Sequence, residues 1–122
     1  MAITNKLDIS FNHTGYTSVV MSQKLALYRV LQEQINNIVK HAEATIVWIS
    51  LFNRDGKVTL TVRDNGKGFE RTTKTNGMGL NNIISRAQVF DERVYLKTAP
   101  QKGCSITVIL PIIEEEKSTI KL

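Results

Sequence analysis

Hydrophobic and polar positions change their period several times along this chain, and each period predicts an element. Alternating positions predict five strands, at residues 6–11, 46–52, 57–63, 93–98 and 105–110. A helical spacing of apolar residues predicts one long helix over residues 22–42. A second helix is predicted at the position where four apolar residues recur at i, i+3, i+4 and i+7, namely Leu80, Ile83, Ile84 and Ala87.

The order of these elements indicates an α/β fold. Asp55-Gly56 predicts a tight hairpin between the second and third strands, because both turn positions can take positive φ. Hairpin-connected strands make a sheet mostly antiparallel, and helices then pack on one of its faces. We therefore expect a two-layer α/β sandwich with a mixed, mostly antiparallel sheet. The domain should span residues 6–113, between a segment at 1–5 that is disordered or introduced by cloning and a charged tail at 114–122.

The amino-acid composition indicates a globular protein but does not indicate its function. Hydrophobic residues make up 42% of the chain and charged residues 22%, as in ordinary globular proteins. The longest apolar run, at 46–52, is far shorter than the roughly 20 residues that cross a bilayer. With no visible signal peptide and a single cysteine, Cys104, we expect a cytoplasmic domain without membrane contact. If the parent protein sits in the inner membrane, its anchor lies outside this chain.

The net charge of +5 suits nucleic acid, anionic lipid or polyphosphate ligands equally well. The chain carries no RNA-binding aromatic signature, zinc-finger spacing or basic helix. We therefore expect no nucleic-acid partner.

The long helix carries a polar stripe. At about 100° of rotation per residue, Glu33, Asn37 and Lys40 fall on one face with His41 beside them. The opposite face is predicted to be the core face, through Leu31, Ile35, Ile38 and Ala42. An ordinary solvated surface is the alternative interpretation of this stripe.

Two glycine-bearing loops add candidate ligand groups. Asp64-Asn65-Gly66-Lys67-Gly68-Phe69 follows a strand, where an aspartate can accept a hydrogen bond from an exocyclic amine. Gly77-Met78-Gly79-Leu80 opens the second helix, where free backbone N–H groups can bind phosphate. Each motif alone is also typical of an ordinary surface turn.

Together and in this order, the three segments resemble the N, G1 and G2 boxes of one ATP-binding domain. That domain is shared by DNA gyrase, Hsp90-type chaperones, histidine kinases and MutL, and the resemblance extends over residues 6–111. It implies the Bergerat-type ATP-binding fold. The stretch from Leu27 to Ala42 and the short lid of eight residues, Phe69–Asn76, are similar to nitrate-sensor-like histidine kinases.

The resemblance implies a role for each matching residue. Asn37 would ligate Mg²⁺, Lys40 would meet the phosphates and His41 would lie beside the nucleotide. Glu33 matches a carboxylate that polarises the attacking group in related ATPases. Asp64 would accept from the adenine amino group. The remaining pocket residues would be Gly66, Gly68, Gly77, Met78, Gly79 and Leu80.

The implied function is that of the ATP-binding catalytic domain of a two-component sensor histidine kinase. It would donate the γ-phosphoryl group of Mg-ATP to a histidine on dimerisation helices absent from this chain, upstream of a response regulator. Neither His13 nor His41 is followed by the acidic residue typical of a phosphoacceptor, so the isolated chain, expected to be a monomer, should not phosphorylate itself. An anti-sigma-factor-type protein-serine kinase is one alternative. A nucleotide-binding pseudokinase module is the other, because Cys104 replaces a usual threonine and should weaken adenine binding.

Overall fold

A computed structural model describes residues 7–14, 20–70 and 93–112. These ranges contain one long helix, α1, and five strands. Helix α1 covers Met21–Asn37 and continues into one π-helical turn at Ile38–Ala42. The strands are β1 Asp8–Thr14, β2 Ile46–Arg54, β3 Lys57–Asp64, β4 Arg93–Thr98 and β5 Cys104–Pro111. The predicted second helix, most of the predicted lid and both terminal segments lie outside the described residues.

The strands form one sheet in the order β1-β2-β3-β5-β4. β1 runs parallel to β2, because α1 carries the chain from one end of the sheet back to the other, and the remaining pairings are antiparallel. This arrangement confirms the predicted mixed, mostly antiparallel sheet. β1 starts and ends later than predicted, because its pairing with β2 continues as far as Thr14 opposite Phe52.

The predicted hairpin between β2 and β3 is confirmed. Arg54 pairs with Lys57, which leaves a two-residue turn. Asp55 and Gly56 both take positive φ, at 56° and 75°. This is the backbone that matches the right-handed twist of the flanking strands.

The core lies between α1 and one face of the sheet. Alternate residues of the two central strands are buried there, namely Val58, Leu60, Val62, Ile106, Val108 and Leu110. Leu27, Val30 and Ile38 of the helix pack against them. Full burial of each such side chain is worth about 1.5–3 kcal/mol. In the described ranges, no helix is both long and apolar enough to cross a bilayer.

The predicted core face of α1 was correct for Ile38, which is buried, but its centre is rotated from the predicted one. Leu31, Ile35 and Ala42 pack against the core and are only partly buried. Gln23 and Gln34, by contrast, are fully buried at 0% and 2% exposure. Both glutamines are accommodated because their amides find partners on β5: Gln23 Nε2 donates to the Pro111 carbonyl at 2.7 Å, and Gln34 Nε2 to the Cys104 sulfur at 3.8 Å. The polar stripe therefore borders the buried face of the helix and does not lie opposite it.

Candidate functional site

A cavity lies where the C-terminal end of α1 meets the ends of β3 and β5. Its volume is about 20 Å³, which is room for about one water molecule. Its lining residues come from the helix end, the loop after β3 and the start of β5: Gln34, Asn37, Ile38, His41, Ala42, Asp64, Gly68, Phe69 and Cys104. Polar groups from three separated segments thus converge on one cavity.

Asp64, the last residue of β3, is the buried acid of this cavity. Its side chain is 3% exposed. Oδ1 accepts a hydrogen bond from the Gly66 N–H at 2.7 Å, while Oδ2 is buried without a hydrogen-bond partner among the described residues. Burial raises the pKa of this carboxyl group, and the Gly66 hydrogen bond opposes the increase. A buried acceptor in this state is suited to a donor supplied by a ligand.

Asn37 is half-buried on the helix side of the cavity. Its Nδ2 donates to Gln34 Oε1 at 3.1 Å, so the donor end of its carboxamide is held by a buried partner. His41 lies one turn further along, with its side chain exposed at the rim. Sequence reasoning missed Gln34, although a glutamine three residues before Asn37 is within reach of it on any helix.

The loop after β3 is fixed against the π-helical turn. The Lys67 N–H donates to the Ala42 carbonyl at 2.8 Å, and a Cβ atom on Gly66 would collide with that same carbonyl. Asn65 Oδ1 accepts from the backbone N–H groups of Thr45 and Ile46 at 2.9 and 3.0 Å. Gly66 therefore supports the site by allowing close packing, and Asn65, which the sequence did not single out, anchors the loop to β2.

A second set of contacts holds Gly68 and Phe69 against the β4–β5 turn. Gly68 has a φ of 62°, and a Cβ atom there would collide with the carbonyls of Ala99 and Gly103. The Phe69 N–H donates to Thr98 Oγ1 at 3.2 Å, and that hydroxyl donates to the Gly103 carbonyl at 2.7 Å. The glycine is required by the fold at this point, in addition to its position in the cavity wall.

Cys104 pairs with Asp64 across β3 and β5 and closes the floor of the cavity. Burial, with a smaller contribution from the Asp64 carboxylate, raises the pKa of the Cys104 thiol to about 11. The thiol is therefore protonated at neutral pH and able to donate a hydrogen bond.

This pKa predicts an alkaline loss of stability. The unfolded chain ionises its thiol near pH 9.0 and the folded chain near 11, so the stabilisation linked to Cys104 is complete below pH 9 and lost as pH rises to 11. Denaturant unfolding across this range should show a steeper fall in the free energy of unfolding for the wild type than for Cys104→Ser. Parallel curves for the two proteins would contradict the prediction.

The structure brings together some of the predicted site residues and separates others. Asn37, His41, Asp64 and Gly68 line the cavity, and Gly66 supports its wall. Glu33 lies in a separate depression along α1, beside Arg29, because it is turned away from the sheet. Lys40 is exposed and lies outside the cavity wall. Four predicted residues lie outside the described ranges: Gly77, Met78, Gly79 and Leu80.

Comparison with known proteins identifies the type of domain. Residues 22–114 match the family described as histidine kinase-, DNA gyrase B- and HSP90-like ATPases. The chain is 35% identical over 110 residues to the signal transduction histidine-protein kinase/phosphatase DegS of Brevibacillus brevis, covering 88% of this chain and 28% of DegS. It is 37% identical over 89 residues to the sensor histidine kinase ComP of Bacillus subtilis, covering 70% of this chain and 12% of ComP.

Solved structures show the same fold. The ATP-binding domain of PrrB from Mycobacterium tuberculosis superposes with a TM-score of 0.67 at 24% identity, over 88% of this chain and 82% of that domain. The histidine kinase AdeS of Acinetobacter baumannii gives a TM-score of 0.75 at 16% identity, over 88% of this chain and 55% of the AdeS chain. With a family match over most of its length, the chain belongs to the histidine kinase-, DNA gyrase B- and HSP90-like ATPase family.

Proposed function

We propose that this chain is the Mg-ATP-binding catalytic domain of a sensor histidine kinase. Membership of an ATPase family implies ATP binding, and the curated relatives above are named as sensor or signal transduction kinases. The chain spans little more than a quarter of DegS and less of ComP. The phosphoryl-accepting histidine would lie on another domain of the parent protein, and a response regulator would be the partner of that parent. The observation that carries the proposal is the buried Oδ2 of Asp64 in the cavity, which has no hydrogen-bond partner within the part of the chain that the structure describes.

Asp64 would select adenine. Oδ1 is already engaged by the Gly66 N–H, so Oδ2 is the atom available to the exocyclic amine of the base. A buried acceptor without a donor costs free energy, and a hydrogen bond from the base would remove that cost. Guanine carries a carbonyl at the corresponding position and would place two acceptors against each other.

Asn37 would hold the magnesium ion. Its carboxamide oxygen is a hard ligand of the type that Mg²⁺ accepts, and its donor end is held by Gln34. In the described ranges, no three His, Cys, Asp or Glu side chains group into a metal site. This donor set fits a cation that arrives with the nucleotide and takes most of its ligands from phosphate and water. When bound, the ion would neutralise charge on the transferring phosphoryl group.

The remaining predicted site residues are not among the described residues that line the cavity, and we propose roles for them in binding or transferring the phosphates. Lys40 is exposed on a long, flexible side chain, which suits a point charge that meets phosphates at the rim. Glu33 would polarise the attacking group from its separate depression along α1. Phosphate would also be bound by the backbone of four further residues, Gly77, Met78, Gly79 and Leu80.

The phosphoryl group would pass to a histidine on a separate domain of the parent, with this domain supplying position and electrostatic stabilisation. Such a reaction requires cytoplasmic ATP, so we place the domain on the cytoplasmic side of any membrane that anchors the parent.

A phosphotransfer assay tests this function. Radiolabelled Mg-ATP should leave the chain alone unlabelled, and should label a separately supplied dimerisation domain from a relative such as DegS. The label should be acid-labile and base-stable, as expected for phosphohistidine. Acid-stable label on a sigma-antagonist protein would favour the serine-kinase alternative instead. Nucleotide binding without any transfer would favour the pseudokinase alternative, and failure to bind ATP would overturn the proposal.

A further inference from the structure

Two hydrogen bonds link Cys104 of β5 to Asn37 of α1. The Cys104 sulfur accepts from Gln34 Nε2 at 3.8 Å, and Gln34 Oε1 accepts from Asn37 Nδ2 at 3.1 Å. Cys104 is also the cross-strand neighbour of Thr98, whose hydroxyl donates to the Gly103 carbonyl at 2.7 Å.

The other contacts of Thr98 are directed away from Gln34. A backbone carbonyl can only accept, so the one hydrogen of the Thr98 hydroxyl is committed to Gly103. The hydroxyl oxygen accepts from the Phe69 N–H at 3.2 Å. The Cys104 sulfur accepts its hydrogen bond from the Gln34 side chain.

These hydrogen bonds orient the two carboxamides. Gln34 turns its NH₂ group toward the sulfur, which leaves its oxygen facing Asn37. Asn37 must turn its NH₂ group toward that oxygen, because the reverse orientation would oppose two carbonyl oxygens. The Asn37 oxygen is thereby directed away from Gln34. Gln34 is 2% exposed, so water does not compete for its polar atoms.

We propose that Gln34, held by Cys104, is a positioning residue that orients the Asn37 carboxamide so that its oxygen is available to the nucleotide-bound cation. This inference rests on the proposed function. Cys104 then has a role beyond packing. A sulfur or hydroxyl at this position can accept the hydrogen bond that orients the Gln34 side chain, whereas a methyl group cannot. Partners behind a metal ligand are generally worth about 10- to 100-fold in metal affinity.

The test measures ATP affinity by isothermal titration calorimetry with Mg²⁺ and again with a chelator in its place. The ratio of the two affinities isolates the cation, because contacts to adenine contribute equally under both conditions. Gln34→Met keeps the length of the side chain and removes both hydrogen bonds, and it should lower the ratio about tenfold. Gln23→Met is the matched control: it alters the other fully buried glutamine of α1, whose partner is Pro111, and should leave the ratio unchanged.

A second pair of variants keeps the test decisive if Gln34→Met fails to fold. Cys104→Ser retains a group that donates and accepts, so it should keep the magnesium ratio of the wild type. Cys104→Ala removes the link and should lower that ratio. Equal ratios for Ser and Ala, or an unchanged ratio in a folded Gln34→Met protein, would overturn the inference.

Asn37→Ala separates this inference from the proposed function. If Asn37→Ala lowers the ratio while Gln34→Met does not, Asn37 binds the cation but needs no positioning by Gln34, and only the inference fails. If the wild type binds ATP equally well with and without Mg²⁺, the proposed cation site itself is wrong.

Discussion

Asp64→Asn should reduce ATP affinity about 100-fold, measured by calorimetry with Mg²⁺ present. A hydrogen bond to a charged acceptor is worth about 1.5–3 kcal/mol, or roughly 10- to 150-fold in affinity. The upper end is expected because an asparagine cannot serve both donors. If its oxygen keeps the Gly66 N–H, its NH₂ group faces the adenine amine, and if it turns around, its NH₂ group faces Gly66.

The same variant should not destabilise the protein without nucleotide. Burial raises the Asp64 pKa in the folded state. The stability linked to this group is therefore complete at low pH and lost as pH rises through the folded-state pKa, so at pH 7 the ionised carboxylate weakens the fold. Asparagine does not ionise. We expect the thermal midpoint of Asp64→Asn without ATP to equal or exceed that of the wild type, while the increase produced by a given ATP concentration becomes smaller.

Asp55→Asn provides the control for charge. It removes the same charge from an exposed hairpin turn, where asparagine also tolerates positive φ. Its ATP affinity should match the wild type. Unchanged ATP affinity in Asp64→Asn would contradict the adenine assignment, and a large fall in its midpoint would show that lost binding reflects lost folding.

Gly68→Ala should destabilise the domain by about 3 kcal/mol. Alanine in the left-handed region costs about 1–2 kcal/mol by itself. The added Cβ atom would also collide with the carbonyls of Ala99 and Gly103, which belong to the backbone and cannot simply rotate away. The loop must move, and the hydrogen bond from the Phe69 N–H to Thr98 should break with it. Strain of this kind accounts for large single-residue effects.

Gly56→Ala separates the two contributions to that cost. Gly56 also has positive φ, at 75°, but nothing lies within 4 Å of a Cβ atom added there. Its substitution should therefore cost only the backbone term, about 1 kcal/mol. Chemical denaturation of both variants beside the wild type measures the difference. Equal costs would show that the collision at Gly68 is relieved without consequence.

Local pattern predicted much of the fold. The helical spacing predicted an element over 22–42, and the structure has a continuous helical segment over residues 21–42. The hairpin at Asp55-Gly56 and the strand at 93–98 were predicted with their observed bounds. These features depend on neighbours in sequence, because turn geometry and amphipathic periodicity are set within a few residues.

The candidate site was predicted only in part. The convergence of Asn37 and Asp64 on one cavity followed from motif order, but the separation of Glu33 from it did not. A helical wheel assigns a face to each residue without saying which face meets the sheet. The burial of Gln34 shows that the buried face is rotated from the expected one, and a glutamine is a poor signal of a core position.

The sequence by itself determined where the helix and strands form and which residue types could bind a nucleotide, because those properties are local. Only the tertiary structure decided that Gln34 meets Cys104, that Gly66 and Gly68 pack against carbonyls, and that Asp64 Oδ2 is buried with no donor among residues 7–14, 20–70 and 93–112. The physical reason is that each depends on atoms distant in sequence. A buried polar group is stable only with a partner, and the order of the strands in the sheet determines which partner it meets.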